Sequence, residues 1–352
     1  MLLAAMLALI PSVFAAETTV DARSMQQIYE QVKTPFKYGI VLRGTAAEKV
    51  DCPNVFRHNR KWWMVYIAFG GRGYETRLAV SDDLLKWQSL GAVLQPAGAG
   101  WDAEQAAGGL ALVDARWNHP AQLLKQDGKY WMSYLGGAKT GYETPPLSIG
   151  LAAAADPTSP RAWARVGGEP VLGPLDSDAR WFEHDTLFKS HILLDPSRST
   201  GHRFVMFYNA REATNVWTER IGMAVSDDMR HWKRFGREPV IDNGPKPGIS
   251  GDPQVVKIGD LWVMFYFGAF YQPKAFDTFA CSRDLIHWTK WAGPHLIEPS
   301  QPWDQTYAHK PWVIRYRGVV YHFYCAVGDE GRVIALATSK DLSPPKKSTR
   351  GL

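Results

Sequence analysis

The sequence contains little cysteine, and its cysteines are not spaced for a metal site. The full set is Cys52, Cys281 and Cys325, so the three cannot all pair with one another. They form no Cys-x-x-Cys or Cys/His cluster of the kind that binds zinc. We therefore expect that the thiols are free and buried and that no metal is bound. The alternative is a single Cys281–Cys325 bridge in an oxidising compartment.

A strong charge of one sign is also lacking. The chain has 40 Lys and Arg against 35 Asp and Glu, for a formal net charge of +5, and its basic residues form no long block. A nucleic-acid interface needs a basic patch or stripe. We therefore expect no nucleic-acid partner.

Long apolar runs are absent after the first residues of the chain. Residues 1–16 form an apolar run that ends in small residues, as a cleaved signal peptide does. The run is shorter than the roughly twenty apolar residues that a bilayer span needs. We predict a signal peptide over residues 1–16, a secreted or periplasmic protein, and no membrane association after cleavage.

A short phrase recurs along the whole chain. It consists of small apolar residues, then Ser-x-Asp-Leu or Ser-x-Asp-Met, then a tryptophan three positions later. Clear copies occur at residues 81–87, 226–232 and 282–288, a copy without the tryptophan at 339–342, and a degenerate copy at 150–163. Five copies at such wide spacing predict five repeating structural units.

A run of β-branched and aromatic residues precedes each copy, and a Gly or polar turn precedes most of these runs, which is typical of hairpins. The copies are about 55 to 75 residues apart, enough for four short strands per unit. We predict an all-β, five-bladed β-propeller over residues 49–342. Residues 17–48 form an N-terminal segment with one short amphipathic helix, predicted by Met25, Ile28, Tyr29 and Val32. We predict that residues 343–352 form a flexible tail.

Polar residues recur where the first strand of each predicted unit begins. A propeller packs these first strands around its central axis, so their ends should share one pocket. In four units the residue lies about fifteen positions before a strand tyrosine and shortly before a proline: Asp51, His119, Asp252 and His309. The third unit offers Glu183 and Asp185, which face the same way if the segment is extended.

Several carboxylates in one pocket predict acid–base chemistry. Cleaving a glycosidic bond needs one carboxyl group to protonate the leaving oxygen and another to attack or to activate water. Clustered carboxylates also raise one pKa, which keeps an acid protonated. The predicted catalytic residues are Asp51, Asp185, Asp252 and Glu183. The predicted substrate-binding residues are His119, His309, Lys310, Arg57, Arg72 and Trp62. We expect no cofactor, with a structural ion on the propeller axis as the one exception.

With these motifs, the chain resembles the five-bladed propeller glycoside hydrolases over residues 49–342. That superfamily includes the family 43 arabinanases and xylosidases, the family 32-like invertases and levansucrases, and the family 130 mannoside phosphorylases. The resemblance implies that Asp51 is the general base or nucleophile and that Asp185 tunes the pKa of the acid. The family 43 acid is a glutamate before Gly-Pro, where this chain has Asp252 between Gly251 and Pro253. An invertase-like acid would be Glu183.

Three hypotheses about function remain open at this point. The first is a glycoside hydrolase that acts on oligosaccharide or polysaccharide fragments, with carbohydrate as its partner. The second is a family 130-type phosphorylase, which would need a basic phosphate pocket, and Lys310, Arg57 and Arg72 are candidates for it. The third is a non-catalytic carbohydrate-binding propeller, because the blade-four glutamate is missing.

Overall fold

The part of the chain that the structure describes is nearly all-β with one α-helix. A computed structural model describes residues 18–160, 162–244 and 247–343. The predicted signal peptide lies outside these residues, and so does the predicted tail apart from Ser343. In the described part of the chain, no helix is long and apolar enough to cross a membrane.

The helix α1 (Ala22–Val32) begins at Asp21, whose Oδ1 accepts a hydrogen bond from the Ser24 backbone N–H at 2.9 Å. Such a cap satisfies one of the N–H groups that a helix start leaves unpaired. Met25, Ile28 and Val32 are buried in a core cluster against the strands. The predicted amphipathic helix is therefore confirmed.

Twenty strands and one short 3₁₀ helix (Pro302–Asp304) make up the rest of the regular structure in the described residues. The first ten are β1 (Phe36–Leu42), β2 (Lys49–His58), β3 (Lys61–Phe69), β4 (Tyr74–Ser81), β5 (Gln88–Leu94), β6 (Gln105–Leu110), β7 (Tyr130–Gly137), β8 (Ser148–Ala154), β9 (Ala164–Val166) and β10 (Thr186–Leu194). The other ten are β11 (Phe204–Arg211), β12 (Thr218–Ser226), β13 (Lys233–Arg234), β14 (Gly248–Ile258), β15 (Leu261–Ala269), β16 (Ala275–Ser282), β17 (Thr289–Lys290), β18 (Tyr307–Tyr316), β19 (Val319–Gly328) and β20 (Gly331–Thr338).

The strands of the described residues form four hydrogen-bonded sheets. Strands β2 to β5 form one sheet and β6 to β9 another, each in sequence order. In the last sheet, β18, β19 and β20 are joined by β1, which pairs antiparallel with β20. The N-terminal strand thus completes the C-terminal sheet, although the predicted boundary at residue 49 separated it from the strand domain.

The remaining sheet has eight strands and contains two of the predicted repeating units. Strands β10 to β13 and β14 to β17 are two antiparallel groups. Among the described residues, the strands of the two groups pair where β12 runs parallel to β14, at Thr218 with Gly248 and Glu219 with Ile249. The five sequence repeats therefore occupy four hydrogen-bonded sheets. The count of five blades stays a prediction.

Strands from the four sheets contact one another in a ring. Strand β2 contacts β6, β6 contacts β10, β10 contacts β14, β14 contacts β18, and β18 contacts β2. The starts of distant strands are thereby brought to one end of the same ring.

The Ser-x-Asp phrases form structural turns. In the first copy, Ser81 Oγ accepts hydrogen bonds from the backbone N–H groups of Asp83 and Leu84, and Asp83 Oδ1 accepts from those of Leu85 and Lys86. The same pattern recurs at 226–231 and 282–287. Because these bonds satisfy backbone donors at a sharp turn, the phrases are conformational signals.

We expect Asp83→Ala to lower the free energy of unfolding by about 1–2 kcal/mol, because two backbone N–H groups lose their acceptor. The matched control is Asp82→Ala, since the neighbouring Asp82 is 80% exposed and its contact is a surface ion pair with Lys61. That change should cost less than about 0.5 kcal/mol. Urea unfolding of both variants measures the difference, and equal losses would contradict the role of the turn.

All three cysteines are buried and free. The predicted free thiols are confirmed, and the alternative Cys281–Cys325 bridge does not form. The two residues lie on β16 and β19, which belong to different sheets.

Candidate active site

A cavity of about 320 Å³ opens at the end of the ring where β2, β14 and β18 begin. Three carboxylates line it: Glu143, Glu219 and Asp252. Three cationic side chains line it as well: Lys189, Lys310 and Arg332. Much of the remaining wall is apolar and aromatic, with Tyr74, Tyr142, Phe188, Trp217, Phe267, Phe270 and Tyr307.

A β-bulge at each of these strand starts determines which side chain lies at the cavity. On β2, the residues Cys52 and Pro53 are inserted opposite Tyr66, between the pairs Asp51 with Ile67 and Asn54 with Val65. The same insertion occurs on β14 at 252–253 and on β18 at 310–311. A bulge turns its extra residue out of the ladder, and it also accommodates a proline that lacks an N–H.

The bulge residues Cys52, Asp252 and Lys310 have φ angles of 47°, 49° and 63°. These left-handed conformations are uncommon for residues other than glycine. All three side chains line the cavity, and Cys52 Sγ donates a hydrogen bond to Asp252 Oδ2 at 3.2 Å. The three bulges therefore act together to present side chains to one space.

The bulges also show that Asp51 and Asp252 do not occupy the equivalent positions that the sequence predicts. Asp252 is in register with Cys52 and Lys310, whereas Asp51 is in register with Gly251 and His309. Asp51 lies 15 positions before its strand tyrosine and two before its proline, whereas Asp252 lies 14 positions before its tyrosine and one before its proline. Treating the two aspartates as equivalent therefore shifts the comparison by one residue. Since side chains alternate along a strand, a difference of one residue in register places Asp252 at the cavity and Asp51 in the buried layer.

Asp51 lies beneath the cavity and is only 1% exposed. Its Oδ2 accepts hydrogen bonds from Lys310 Nζ at 3.0 Å and Arg332 Nη1 at 2.7 Å, and its Oδ1 accepts from the Cys52 N–H at 2.8 Å. Burial alone would raise the pKa of Asp51, but the two cations outweigh it and hold that pKa well below its usual range. Asp51 is therefore a buried anion that orients two cavity cations.

Glu219 has the opposite electrostatic environment. Burial, and then the nearby Glu143 carboxylate, raise the pKa of Glu219 to about 7. Two hydrogen bonds oppose this shift: Trp217 Nε1 donates to Oε1 at 2.5 Å and Asn209 Nδ2 donates to Oε2 at 2.8 Å. Glu219 therefore carries a proton up to about neutral pH, as a general acid must.

Glu143 lies across from a cation. Lys310 Nζ is 3.6 Å from Glu143 Oε1, and the Tyr74 hydroxyl donates to the same oxygen at 3.3 Å. Lys310 thus bridges the buried Asp51 and the cavity-facing Glu143. The cavity contains one glutamate kept protonated and a second one beside an ammonium group.

Comparison with known proteins shows the family. No protein-family model matches the chain. A solved structure described as a complex of BT0996 with RGII is 44% identical, with a TM-score of 0.89 over 93% of this chain and 98% of that protein. A second structure, described as a glycoside hydrolase, is 43% identical with a TM-score of 0.88 and the same coverage. The chain belongs to the propeller-fold glycoside hydrolases.

Other matches to this chain either cover a smaller part of it or are similar in fold alone. A thermostable family-43 glycoside hydrolase is 16% identical, with a TM-score of 0.59 over 91% of this chain and 100% of the other. The Mycobacterium tuberculosis protein Rv1502 is 29% identical over 135 residues, which span 36% of this chain and 44% of Rv1502. The β-1,2-mannobiose phosphorylase of a Thermoanaerobacter species is 25% identical over 112 residues, 30% of this chain and 36% of that enzyme.

The structure of this chain brings some predicted site residues together. Asp252, His309 and Lys310 line the cavity, and Asp51 lies directly beneath them. His309 Nδ1 donates to the Cys325 carbonyl at 3.1 Å. Burial and the nearby Arg332 and Lys310 cations lower the pKa of His309 to about 3. His309 is therefore a neutral wall residue at physiological pH.

Glu183 lies away from the cavity. It is fully buried, accepts from Arg234 Nε at 2.5 Å and from the Tyr208 hydroxyl at 2.6 Å, and has no exposed surface. The chain turns just before β10, so Glu183 and Asp185 are not in one extended strand. The condition for both side chains to face the same way, an extended segment, is therefore not met.

Asp185 pairs with Arg211 at the edge of the site. Arg211 Nε donates to Asp185 Oδ2 at 2.5 Å, and the Arg211 guanidinium lies 3.9 Å from the centre of the Trp217 ring. Trp217 in turn lines the cavity and bonds to Glu219. Asp185 thus reaches the site only through two intermediate side chains.

The other predicted binding residues lie elsewhere. His119 is in the segment between β6 and β7, with Nδ1 3.2 Å from Asp114 Oδ2. Arg57 stacks on Trp62 at the far end of β2, because the length of the strand carries it away from the cavity. Arg72 is an exposed surface residue paired with Glu104.

Sequence reasoning missed Glu219 and Glu143. The repeat contains a signal for Glu219. In four units, the residue seven positions before the serine of the Ser-x-Asp phrase lies at the cavity. These residues are Tyr74, Glu219, Ala275 and Arg332. Glu143 lies in the segment between β7 and β8, where the repeat is degenerate, so no comparable signal marks it.

The structural ion on the propeller axis stays a prediction. No group of three or more His, Cys, Asp or Glu that could hold a metal ion occurs in residues 18–160, 162–244 and 247–343. A small cavity below the main one is lined by Lys189, Lys310, His191 and Asp252 among others. Two ammonium groups there disfavour a positive ion.

We expect Glu219→Gln to become more stable than the parent protein as the pH rises. The pKa is raised from 4.5 to about 7 in the folded state, so the contribution of the Glu219 carboxyl group to stability is fully present below about pH 4 and is lost as the pH rises through 7. The glutamine does not titrate, so its advantage should grow by on the order of 3 kcal/mol between pH 4 and pH 8.

Urea unfolding of both proteins at these two pH values measures the effect. The control is Glu330→Gln, which changes an exposed glutamate paired with Arg43 and should show no such gain. A stability difference that does not depend on pH would contradict the raised pKa.

We expect Glu183→Ala to destabilise the fold by roughly 3 kcal/mol, because Arg234 loses its buried partner. The folded fraction should keep its activity, since Glu183 has no exposed surface. Thermal unfolding and specific activity below the transition test both points, with the exposed Glu169→Ala as control. A stable but inactive Glu183→Ala protein would contradict this placement.

Proposed function

We propose that the protein hydrolyses glycosidic bonds in oligosaccharide or polysaccharide fragments, with Glu219 as the general acid and Glu143 as the second carboxylate. The observation that carries the proposal is the pair of glutamates in one cavity, one of them with a pKa raised to about 7. Membership of the glycoside hydrolases supports it. Paired carboxylates of different protonation are what this reaction uses.

In this mechanism, the Glu219 carboxyl proton passes to the glycosidic oxygen as its bond to the anomeric carbon breaks. Glu143 either attacks the anomeric carbon or removes a proton from the water that does so. Water supplies the hydroxyl group of the new reducing end and, in the end, the proton that restores Glu219. Lys310, 3.6 Å from Glu143, holds this carboxylate in place.

Asp51 and Asp252 have supporting roles in this proposal. Asp51 fixes Lys310 and Arg332, while Asp252 lines the cavity with one oxygen bonded to Cys52. A half-buried carboxylate in this position suits hydrogen bonds to sugar hydroxyl groups. The sequence-based assignment of Asp51 as base or nucleophile is thus replaced by a positioning role.

We further propose five blades around one axis, a carbohydrate substrate and a site of action outside the cytoplasm. The ring of β2, β6, β10, β14 and β18 supports the blade count. A relative solved as an RGII complex supports a plant or microbial polysaccharide fragment as substrate. The apolar run at residues 1–16 supports export.

A phosphorylase is the second candidate. Lys189, Lys310 and Arg332 line the cavity, and one stretch of the chain resembles a β-1,2-mannobiose phosphorylase. Against it, Lys310 and Arg332 are already paired with Asp51, which leaves less positive charge for a phosphate. Product formation that requires inorganic phosphate would favour this candidate over hydrolysis.

We expect Glu219→Gln and Glu143→Gln each to lower kcat by about 10²- to 10⁴-fold, the usual loss for a missing acid or base. The parent enzyme should lose kcat/KM above about pH 7, where Glu219 gives up its proton, and Glu219→Gln should lack that decline. Released-sugar assays with arabinan, xylan, galactan, mannan, fructan and RGII fragments measure both effects.

The matched control for these variants is Glu330→Gln, on the exposed turn after β19, which should keep activity within twofold. A fully active Glu219→Gln enzyme would remove the assigned acid. Sugar binding without turnover by the parent protein across the whole panel would instead favour a non-catalytic binding propeller.

A further inference from the structure

Two large aromatic side chains at the cavity remain exposed. Trp217 is 42% exposed and Phe270 is 49% exposed, and both line the cavity. The interior aromatics of this chain are almost fully buried, for example Tyr208 and Phe265 at 0%. Rings left open beside a polar cavity are typical of surfaces that bind a ligand.

Trp217 is held in a fixed orientation on two sides. The Arg211 guanidinium covers one face of its ring at 3.9 Å, and Asp185 holds that guanidinium through a 2.5 Å hydrogen bond. The indole Nε1 edge is bonded to Glu219 Oε1 at 2.5 Å. The exposed surface of Trp217 is therefore on its other face, next to the carboxyl group that we assign as the acid.

Phe270 lies in the segment between β15 and β16 and has a φ of 70°. A bulky residue in this left-handed conformation is strained, and such strain is concentrated at functional sites. Here the conformation presents an apolar ring to solvent at the cavity, where burial would be the favourable arrangement. Stability alone does not account for this placement.

We propose that Trp217 and Phe270 form a binding site for the sugar ring of the leaving group. The inference rests on the proposed function, because it uses Glu219 as the acid. The leaving oxygen must lie at the carboxyl that protonates it, so the ring attached to that oxygen lies beside the Trp217 indole. An aromatic face accepts the C–H face of a sugar ring or a flat aromatic group.

This site predicts a preference for substrates whose leaving group is a ring. The probes are pairs of methyl and 4-nitrophenyl glycosides of common pentoses and hexoses, since each pair differs only in the ring at the leaving position. In catalytically silent Glu219→Gln protein, calorimetry should show the 4-nitrophenyl member binding about 5- to 10-fold more tightly.

Phe270→Ala should reduce that preference to about twofold or less in the same background, with the methyl glycoside affinity unchanged. The matched control is Phe36→Ala, which removes a phenylalanine that is 44% exposed on β1 and does not line the cavity. Equal affinities for both glycosides, or a preference that survives Phe270→Ala, would overturn the inference.

Trp217→Phe separates stacking from hydrogen bonding, because it keeps a ring but removes the N–H donor. That donor lowers the pKa of Glu219, so its loss should move the alkaline decline of kcat/KM to higher pH while ring preference is kept. A purely structural role for Trp217 would leave the position of that decline unchanged and would overturn this part of the inference.

The same measurements separate this inference from the function on which it rests. If Glu219→Gln keeps full activity while Phe270→Ala loses ring preference, the acid assignment fails and the ring site stands. If Glu219→Gln is inactive and Phe270→Ala still prefers the ring, the hydrolase proposal stands and the ring site fails.

Discussion

The buried contact of Asp51 with Lys310 and Arg332 is the constraint on which the cavity depends. Asp51 belongs to β2 in one sheet, while the two cations belong to β18 and β20 in the last sheet. Burying an ion costs several kcal/mol unless it is paired, so each of the three groups needs the others. The contact therefore ties two sheets together at the cavity floor and sets the position of Lys310 beside Glu143.

Two carboxyl groups in this small region are driven in opposite directions by their surroundings. Both are buried, which by itself favours the neutral form. Asp51 faces two cations and stays ionised, whereas Glu219 faces Glu143 and Asp252 and keeps its proton to about pH 7. One cavity can thus hold a permanent anion, which fixes the cations, and a carboxylic acid that is able to donate a proton.

Local signals predicted the repeating architecture well. The helix at Ala22–Val32 and the Ser-x-Asp turns follow from short-range patterns and occur in the structure. The shared pocket was also predicted, and Asp252, His309 and Lys310 line it. The errors arose where the local backbone decides the outcome: the bulges place Asp252 at the cavity but Asp51 beneath it, and a turn before β10 takes Glu183 into the core.

By itself, the sequence determined the all-β repeat, the helix, the turns and the convergence of distant strand starts, because these depend on residue types within a few positions of one another. Only the tertiary structure decided which carboxylates share the cavity and which of them keeps its proton. Glu143 and Glu219 come from different sheets, and the pKa of Glu219 depends on burial and on charges that are remote in the chain. Such quantities arise from packing in space, which short-range sequence patterns do not encode.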